Sequence, residues 1–227
     1  NYLKVYRDID CNYSQIVIVS GSLHSLYLIG NSLIDTNDKV IMENPTYPRA
    51  YNLFKSLKAN VIPCEVDKNG IRIDTISNDS KTKLIYTTPS NQYPLGIKMS
   101  NNRRLEVLEW ASKNNSLIIE DDYDHEFSNW KNPIPSIYSL DNEERVIYQG
   151  TFNKLVHPSL RLGYMIVPKY LINPIKSIYE QSSRFVPVST QSILNNFITS
   201  GHLNNHIRNV IETSKERKKL FINQTKR

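Results

Sequence analysis

Acidic, basic and aromatic side chains stand in this sequence where short apolar runs end, and that placement is what gives them chemical interest. The run Glu120-Asp121-Asp122-Tyr123-Asp124-His125-Glu126-Phe127 sets five acids and a histidine into seven residues after an apolar segment. Five acids this close are not expected to be buried together, because an unpartnered ionised carboxylate is expensive in an apolar interior. A solvated turn is one reading. A metal site is another, although adjacent residues rarely converge on one ion without a loop built for it. A third sets one aspartate at the strand end against a cationic ring nitrogen, with Tyr123, two residues on, projecting to the same side. Gln149-Gly150-Thr151-Phe152-Asn153-Lys154 follows another apolar run, and Arg161 comes soon after. A lysine that directly follows a buried strand is less free to reach water, and a desolvated amine is a nucleophile able to form a Schiff base.

Three further strand ends carry weaker signals. Ser20-Gly21-Ser22-Leu23-His24 is a small-residue turn feeding a helix, and free backbone N–H groups at a helix start suit a phosphate. Tyr47 stands between Pro45 and Pro48, a stiff setting for a ring that could stack on a planar ligand. The loop from Thr87 to Gly96 is polar and punctuated by prolines, so its backbone groups need partners or a function. Taken singly, such turns are common and carry little.

The elements that must position these residues are legible as an alternation. Apolar runs rich in Ile and Val at 15–19, 39–42, 60–66, 83–86, 116–119, 145–148 and 163–167 read as buried strands. Helical spacing covers 23–33, 47–57, 101–114 (behind Ser100 as N-cap), 168–198 and 202–222, with a break at Ser200-Gly201. Strands alternating with helices imply crossovers, a mostly parallel sheet and an α/β fold of three layers, helices on both faces. In such sheets ligands bind beyond the carboxyl ends of the strands.

Composition narrows the function classes. The chain has 227 residues, 39% hydrophobic and 22% charged, the balance of a globular protein. It has no apolar stretch near the roughly 20 residues that span a bilayer. Two cysteines are too few for a disulfide scaffold, so a cytosolic setting is the default. Of the net charge of +6, the segment 204–227 carries +5, with seven bases against two acids. The body is nearly neutral, and charge gives no sign of a nucleic-acid groove on it.

In order along the chain, Asn-Pro-x-Tyr-Pro, Thr-Pro-Ser-x-Gln-Tyr-Pro-x-Gly, Glu-Asp-Asp-Tyr-Asp-x-Glu-Phe, Gly-Thr-Phe-x-Lys and Leu-Arg-Leu-Gly-Tyr resemble the fold-type I pyridoxal-phosphate (PLP) proteins. More narrowly, they resemble the aminotransferase-like domain of MocR-type regulators of the GntR superfamily. The resemblance implies the large domain of a PLP-dependent transferase over 1–203. It implies a basic helix over 204–227 leading towards a small C-terminal domain. It implies pyridoxal 5'-phosphate as cofactor, with Lys154 forming the internal aldimine. Asp121 would pair with the ring nitrogen, Tyr123 with the ring 3-oxygen, and Tyr47 would stack on the ring. Backbone N–H groups of Ser22 and Leu23, the Thr151 hydroxyl and the Arg161 guanidinium would hold the phosphate.

The implied function is a regulator's effector domain that senses PLP, or an amine or amino acid, through Lys154; a working aminotransferase is the alternative. A homodimer is implied, and DNA contact would come only through an N-terminal domain that this sequence does not contain. Starting without Met inside a first helix and stopping in a basic one, the chain is expected to be a fragment of that cofactor domain. Departures from the family pattern fall at Leu23 and His24, where Gln is frequent, and at Asn153, where Ser is frequent. They also fall in the middle loop, where either Asn91 or Tyr93 could contact the cofactor.

Overall fold

A computed structural model describes residues 2–78, 81–127, 134–182 and 186–225. Eight strands form one sheet: β1 (Ile16–Val19), β2 (Lys39–Asn44), β3 (Asn60–Asp67), β4 (Gly70–Ile71), β5 (Thr82–Thr87), β6 (Leu117–Asp121), β7 (Val146–Thr151) and β8 (Gly163–Ile166). Their order is β1-β8-β7-β6-β5-β2-β3-β4. The pairs β2–β3, β2–β5, β5–β6 and β6–β7 are parallel. β8 runs against both its neighbours, and the short β4 runs against β3. The sheet is therefore mostly parallel, as the alternation of runs and helices requires.

Side-chain alternation fills both faces. Leu84, Tyr86, Ile119, Ile147 and Met165 join one core with Leu26, Leu28 and Ile29 of α2 (Ser22–Leu33) and Phe54 of α3 (Pro48–Ser56). Ile175 of α6 (Ile172–Ser182) lies in the same core. On the other face Ile85, Ile118 and Val146 meet Val107, Trp110 and Ala111 of α4 (Asn101–Lys113) and Ile137 of the short α5 (Ile137–Leu140). Tyr148, Tyr164 and Ile166 extend that face against α1 (Tyr2–Arg7), α7 (Val188–Thr199) and the first turns of α8 (His202–Thr225). The result is the expected three-layer α/β/α arrangement. Leu203 and Ile207 of α8 are buried, whereas every described residue from Glu212 onward is exposed.

The one long helix expected over 168–198 is two helices. α6 ends at Ser182 and α7 begins at Val188, with Pro187 as its N-cap. Proline lacks an N–H and pushes the residue before it out of the helical region, so Val186-Pro187 interrupts an otherwise continuous pattern. Residues 183–185 lie outside the described segments. Strand β4 and helix α5 are too short to have left a periodic signal.

Three glycines let backbone press on backbone where β1 hands over to α2. A Cβ on Gly163 would stand 2.8 Å from the Gly150 carbonyl oxygen and 3.3 Å from Gly21 Cα. Gly21 itself has φ +131, a conformation that side chains disfavour. Gly163→Ala is expected to cost about 2 kcal/mol and lower the melting temperature by roughly 4–8 °C. A Cβ on Gly30 would meet the flexible tip of Leu57 at 2.5 Å, and alanine is the better helix former. Gly30→Ala is therefore expected to stay within about 1 kcal/mol of wild type, and thermal unfolding of the two variants side by side checks both expectations.

Candidate functional site

β2 connects outward to β3, and the chain then returns to build β5, β6 and β7 on the other side of β2. The loops after β2 and β5 consequently diverge, and a crevice opens at the carboxyl ends of the strands. A cavity of about 360 Å³ lies there. Ser22, Leu23, Tyr47, Asp121, Tyr123, Thr151, Lys154 and Arg161, the residues singled out from the sequence, all line it. They are joined by Gly21, Arg49, Tyr86, Thr88, Tyr93 and Asn153.

The acidic run behaves otherwise than expected. Glu120, Asp121, Asp122, Asp124 and Glu126 are all buried, none more than 4% exposed. Partners from distant elements make this tolerable. Arg104 of α4 lies 3.2 Å from Glu120 and Arg7 of α1 lies 3.7 Å from it. The backbone N–H groups of Ile137 and Tyr138, at the start of α5, donate to the same carboxylate at 2.9 and 2.8 Å. Arg7 Nε sits 2.7 Å from Asp122, which also accepts from the Tyr148 hydroxyl at 2.6 Å. Burial works to raise the Asp122 pKa, and the Arg7 guanidinium and His125 outweigh it, so the carboxyl stays below its usual range. Glu126 accepts from the Tyr2 hydroxyl.

Asp121 is the exception. Among the described residues no lysine, arginine or histidine nitrogen lies within ion-pair distance of it. Tyr86, on the neighbouring strand, donates its hydroxyl to Oδ2 at 2.8 Å. Oδ1 meets no hydrogen bond of good geometry, although the side chains of Gln149 and Ser22 stand near the carboxyl and help hold its pKa down. Burial pushes the Asp121 pKa up to about 7, against hydrogen bonds that pull it down. A buried carboxylate oxygen left bare at a cavity wall is a fitted seat for a cationic or N–H donor.

Lys154 departs from its expected setting. Its side chain is 50% exposed rather than desolvated, and Nζ is held 2.9 Å from Asp124 Oδ2. Asn91 Nδ2 braces the same oxygen at 2.6 Å. The amine also stands 4.6 Å from the centre of the Tyr123 ring, a cation–π contact. The Tyr123 hydroxyl donates to the Asn91 carbonyl at 2.8 Å. Asn91 thus lies behind the wall, holding Asp124 and Tyr123, while Tyr93 is on it. The Tyr93 ring packs edge-on to Tyr47 at 5.4 Å. Its loop is anchored by Glu43, fully buried, which accepts from the hydroxyls of Thr87 and Thr88 at 2.5 and 2.8 Å and from Gln92 at 3.2 Å.

At the other end of the cavity α2 begins. Its N-cap, Gly21, offers no side chain, and its carbonyl already accepts from His24 and Ser25. The N–H groups of Ser22 and Leu23, in the first turn, have no intrahelical acceptor. Thr151 and Asn153 are tied to Leu162: its amide donates to Asn153 Oδ1 at 2.9 Å, and its carbonyl lies 3.5 Å from the Thr151 hydroxyl. Arg161 is exposed at the rim in a left-handed conformation (φ 47). It makes no ion pair or hydrogen bond among the described residues. Sequence reasoning gave no role to Tyr86, Asp124 or Arg49, and it did not expect Asp122 and Asp124 to be buried beside Asp121.

A three-layer sheet with a lysine, a bare aspartate and a helix start converging at its strand ends defines the α/β class of aminotransferase-like domains. The chain belongs to the aminotransferase class I and II family, whose profile matches residues 3–225. It is 37% identical, over 100% of its length, to the HTH-type transcriptional regulator YdeL of Bacillus subtilis, covering 48% of that protein. It is 34% identical, over 97% of its length, to the probable rhizopine catabolism regulatory protein MocR of Rhizobium meliloti, covering 45% of it. It superposes with a TM-score of 0.91 on the kynurenine aminotransferase of Pyrococcus horikoshii, solved with PMP, at 30% identity, over 98% of this chain and 57% of that one. The chain spans about half the length of the curated relatives it matches.

The two neighbouring aspartates should respond oppositely to neutralisation. The folded Asp121 pKa lies above its unfolded value of 3.8, so this carboxyl costs stability as pH rises from about 4 to about 7. Asp121→Asn removes that cost. Without ligand it should be more stable than wild type by on the order of 2–4 kcal/mol above pH 7, with no gain near pH 4. Asp122→Asn strands the buried Arg7 and should lose about 3 kcal/mol at neutral pH. Urea unfolding of both variants across that pH range measures the two effects.

Proposed function

We propose that this chain is the effector domain of a MocR-type regulator of the GntR superfamily. It binds pyridoxal 5'-phosphate at Lys154 and responds to that cofactor, or to an amine or amino acid that competes for it there. The observation that carries the reading is Asp121 Oδ1, without a hydrogen bond among the described residues, in one cavity with Lys154 and Arg161. The donor set suits the group. A ring nitrogen has Asp121, a phosphate has the Ser22 and Leu23 amides, Thr151 and Arg161, and a planar ring has Tyr47. When bound, the cofactor supplies an electron-withdrawing ring and a carbonyl to which amines can be joined.

The chain's own residues prepare that chemistry. Asp121 holds a proton on the ring nitrogen and gains a partner for its bare oxygen. Asp124 Oδ2 holds Lys154 Nζ at the cavity wall. Tyr123 keeps its ring against the amine; to reach the ring oxygen, its hydroxyl must exchange the Asn91 carbonyl for it. Gly21 leaves the helix start open, so an anion meets backbone N–H groups directly. Two regulators among the relatives support the regulatory reading. The reading also includes a cytoplasmic homodimer, with DNA contacted by a domain outside this chain. Among the described residues no helix is long and apolar enough to cross a membrane.

The superposition on a kynurenine aminotransferase favours a second reading, an aminotransferase acting on an amino acid, because the same residues serve both. Addition of the cofactor to the purified chain should produce visible absorption, and borohydride should fix the label on Lys154. Lys154→Ala should lose both, and an unchanged spectrum in that variant would remove Lys154 from its role. With an amino acid and an oxoacid added, the spectrum should shift without continued amino transfer. Sustained turnover would replace the regulatory reading with the enzymatic one.

A further inference from the structure

Gln149 is a buried amide with half its hydrogen-bonding capacity unmet. It stands in β7 after Val146, Ile147 and Tyr148 and is fully buried. Such an amide is costly unless both its oxygen and its nitrogen find partners. The oxygen has one: Ser25, fully buried in α2, donates its hydroxyl to Oε1 at 2.8 Å. The nitrogen, Nε2, makes no hydrogen bond among the described residues.

The register of the sheet places that nitrogen beside the cavity's acid. Asp121 on β6 and Gln149 on β7 are directly paired. Paired residues project from the same face of a sheet, and two residues earlier on each strand Ile119 and Ile147 pack in the core that α2 covers. A buried donor and a buried acceptor, Gln149 Nε2 and Asp121 Oδ1, each without a hydrogen bond, thus stand on neighbouring strand positions. The Gln149 side chain is near enough to hold the Asp121 pKa down against burial. On the other flank Tyr86, from β5, donates to Oδ2 at 2.8 Å.

Ser25 decides which end of the amide is presented. With its hydroxyl given to Oε1, Nε2 is the end left for the carboxyl. Turned over, the amide would set its oxygen against a carboxylate, acceptor to acceptor. The Ser25 hydroxyl would then have Met165 Sδ, at 3.5 Å, a weak acceptor. A carboxylate oxygen has two lone pairs, so Gln149 and a ring nitrogen can share Asp121 without competing.

We infer that Gln149 is a positioning residue for the cavity's acid: oriented by Ser25, its amide turns N–H towards Asp121 and steadies the carboxylate that is to meet a cationic ring atom. Neither Ser25 nor Gln149 lines the cavity, so the pair acts on a ligand only through Asp121. The effect on binding rests on the cofactor reading above; the effect on Asp121 does not.

The test measures the dissociation constant of pyridoxal 5'-phosphate from the visible absorption of the 227-residue chain, between about pH 6 and about pH 9. Gln149→Leu keeps the bulk and removes the donor. It should weaken binding about tenfold at the acid end, the worth of a hydrogen bond to a charged group. The gap should close as pH rises, because Gln149 then steadies the free carboxylate as much as the bound one. Ser25→Ala, the smaller cut, should show the same pattern at about threefold. In an Asp121→Asn background neither substitution should change binding by more than about twofold. A gap that is equal at every pH, one that persists in the Asp121→Asn background, or none at all overturns the inference. Should wild type take up no cofactor, the cofactor reading fails by itself, and urea unfolding of the cofactor-free chain decides for Gln149. In wild type the Asp121 carboxyl costs stability from about pH 4 to about 7. In Gln149→Leu the loss should continue to higher pH, and adding Asp121→Asn should remove the excess. Identical pH profiles in wild type and Gln149→Leu overturn the inference.

Discussion

A carboxylate can be buried when a positive charge or a set of N–H and O–H donors is brought to it, and this fold brings such groups to one short stretch of chain from four directions. Arg7 comes from α1, Arg104 from α4, backbone amides from α5 and the Tyr148 hydroxyl from β7. The packing of these elements over the sheet is what makes the end of β6 habitable for acids. Once Glu120 and Asp122 are satisfied on one face, Asp121 is left on the opposite face with one hydroxyl and one bare oxygen. The cavity's chemistry is the residue of that accounting. A site that must grip a cationic ring atom needs a carboxylate nobody else has claimed.

The strand order then sets what else faces that carboxylate. The turn into α2, with its uncapped amides, lies beyond one flank, and the tyrosines of the β2 and β5 loops lie beyond the other. An anion-loving end and an aromatic end thus flank Asp121, and the half-exposed amine of Lys154 sits between them. The same arrangement serves an enzyme or a sensor.

Much of this was legible because the informative residues are local to strand ends. Gly-Thr-Phe-x-Lys after an apolar run, and Glu-Asp-Asp-Tyr-Asp after another, put Lys154 and Asp121 at strand ends, and both line the cavity there. What could not be read depends on contacts far apart in sequence. Arg7 meets Asp122, and Tyr86 meets Asp121 from the next strand, through pairings no local pattern announces. For the same reason the acids looked too dense to bury, and Lys154 looked drier than it is, since Asp124 holds it towards the surface. The break at Pro187 was visible in principle but was outweighed by the apolar periodicity on either side of it.

Helix α1 has six residues, too few to persist unaided. It is fastened by its last residue, whose guanidinium is sunk among Glu120, Asp122, Ser90 and the Ile134 carbonyl. Withdrawing it would take the arginine from Asp122 and leave Glu120 to Arg104, and both acids adjoin Asp121 in sequence. Helix α1 is therefore the latch for Asp122, whose charge in turn bears on Asp121 at the cavity wall.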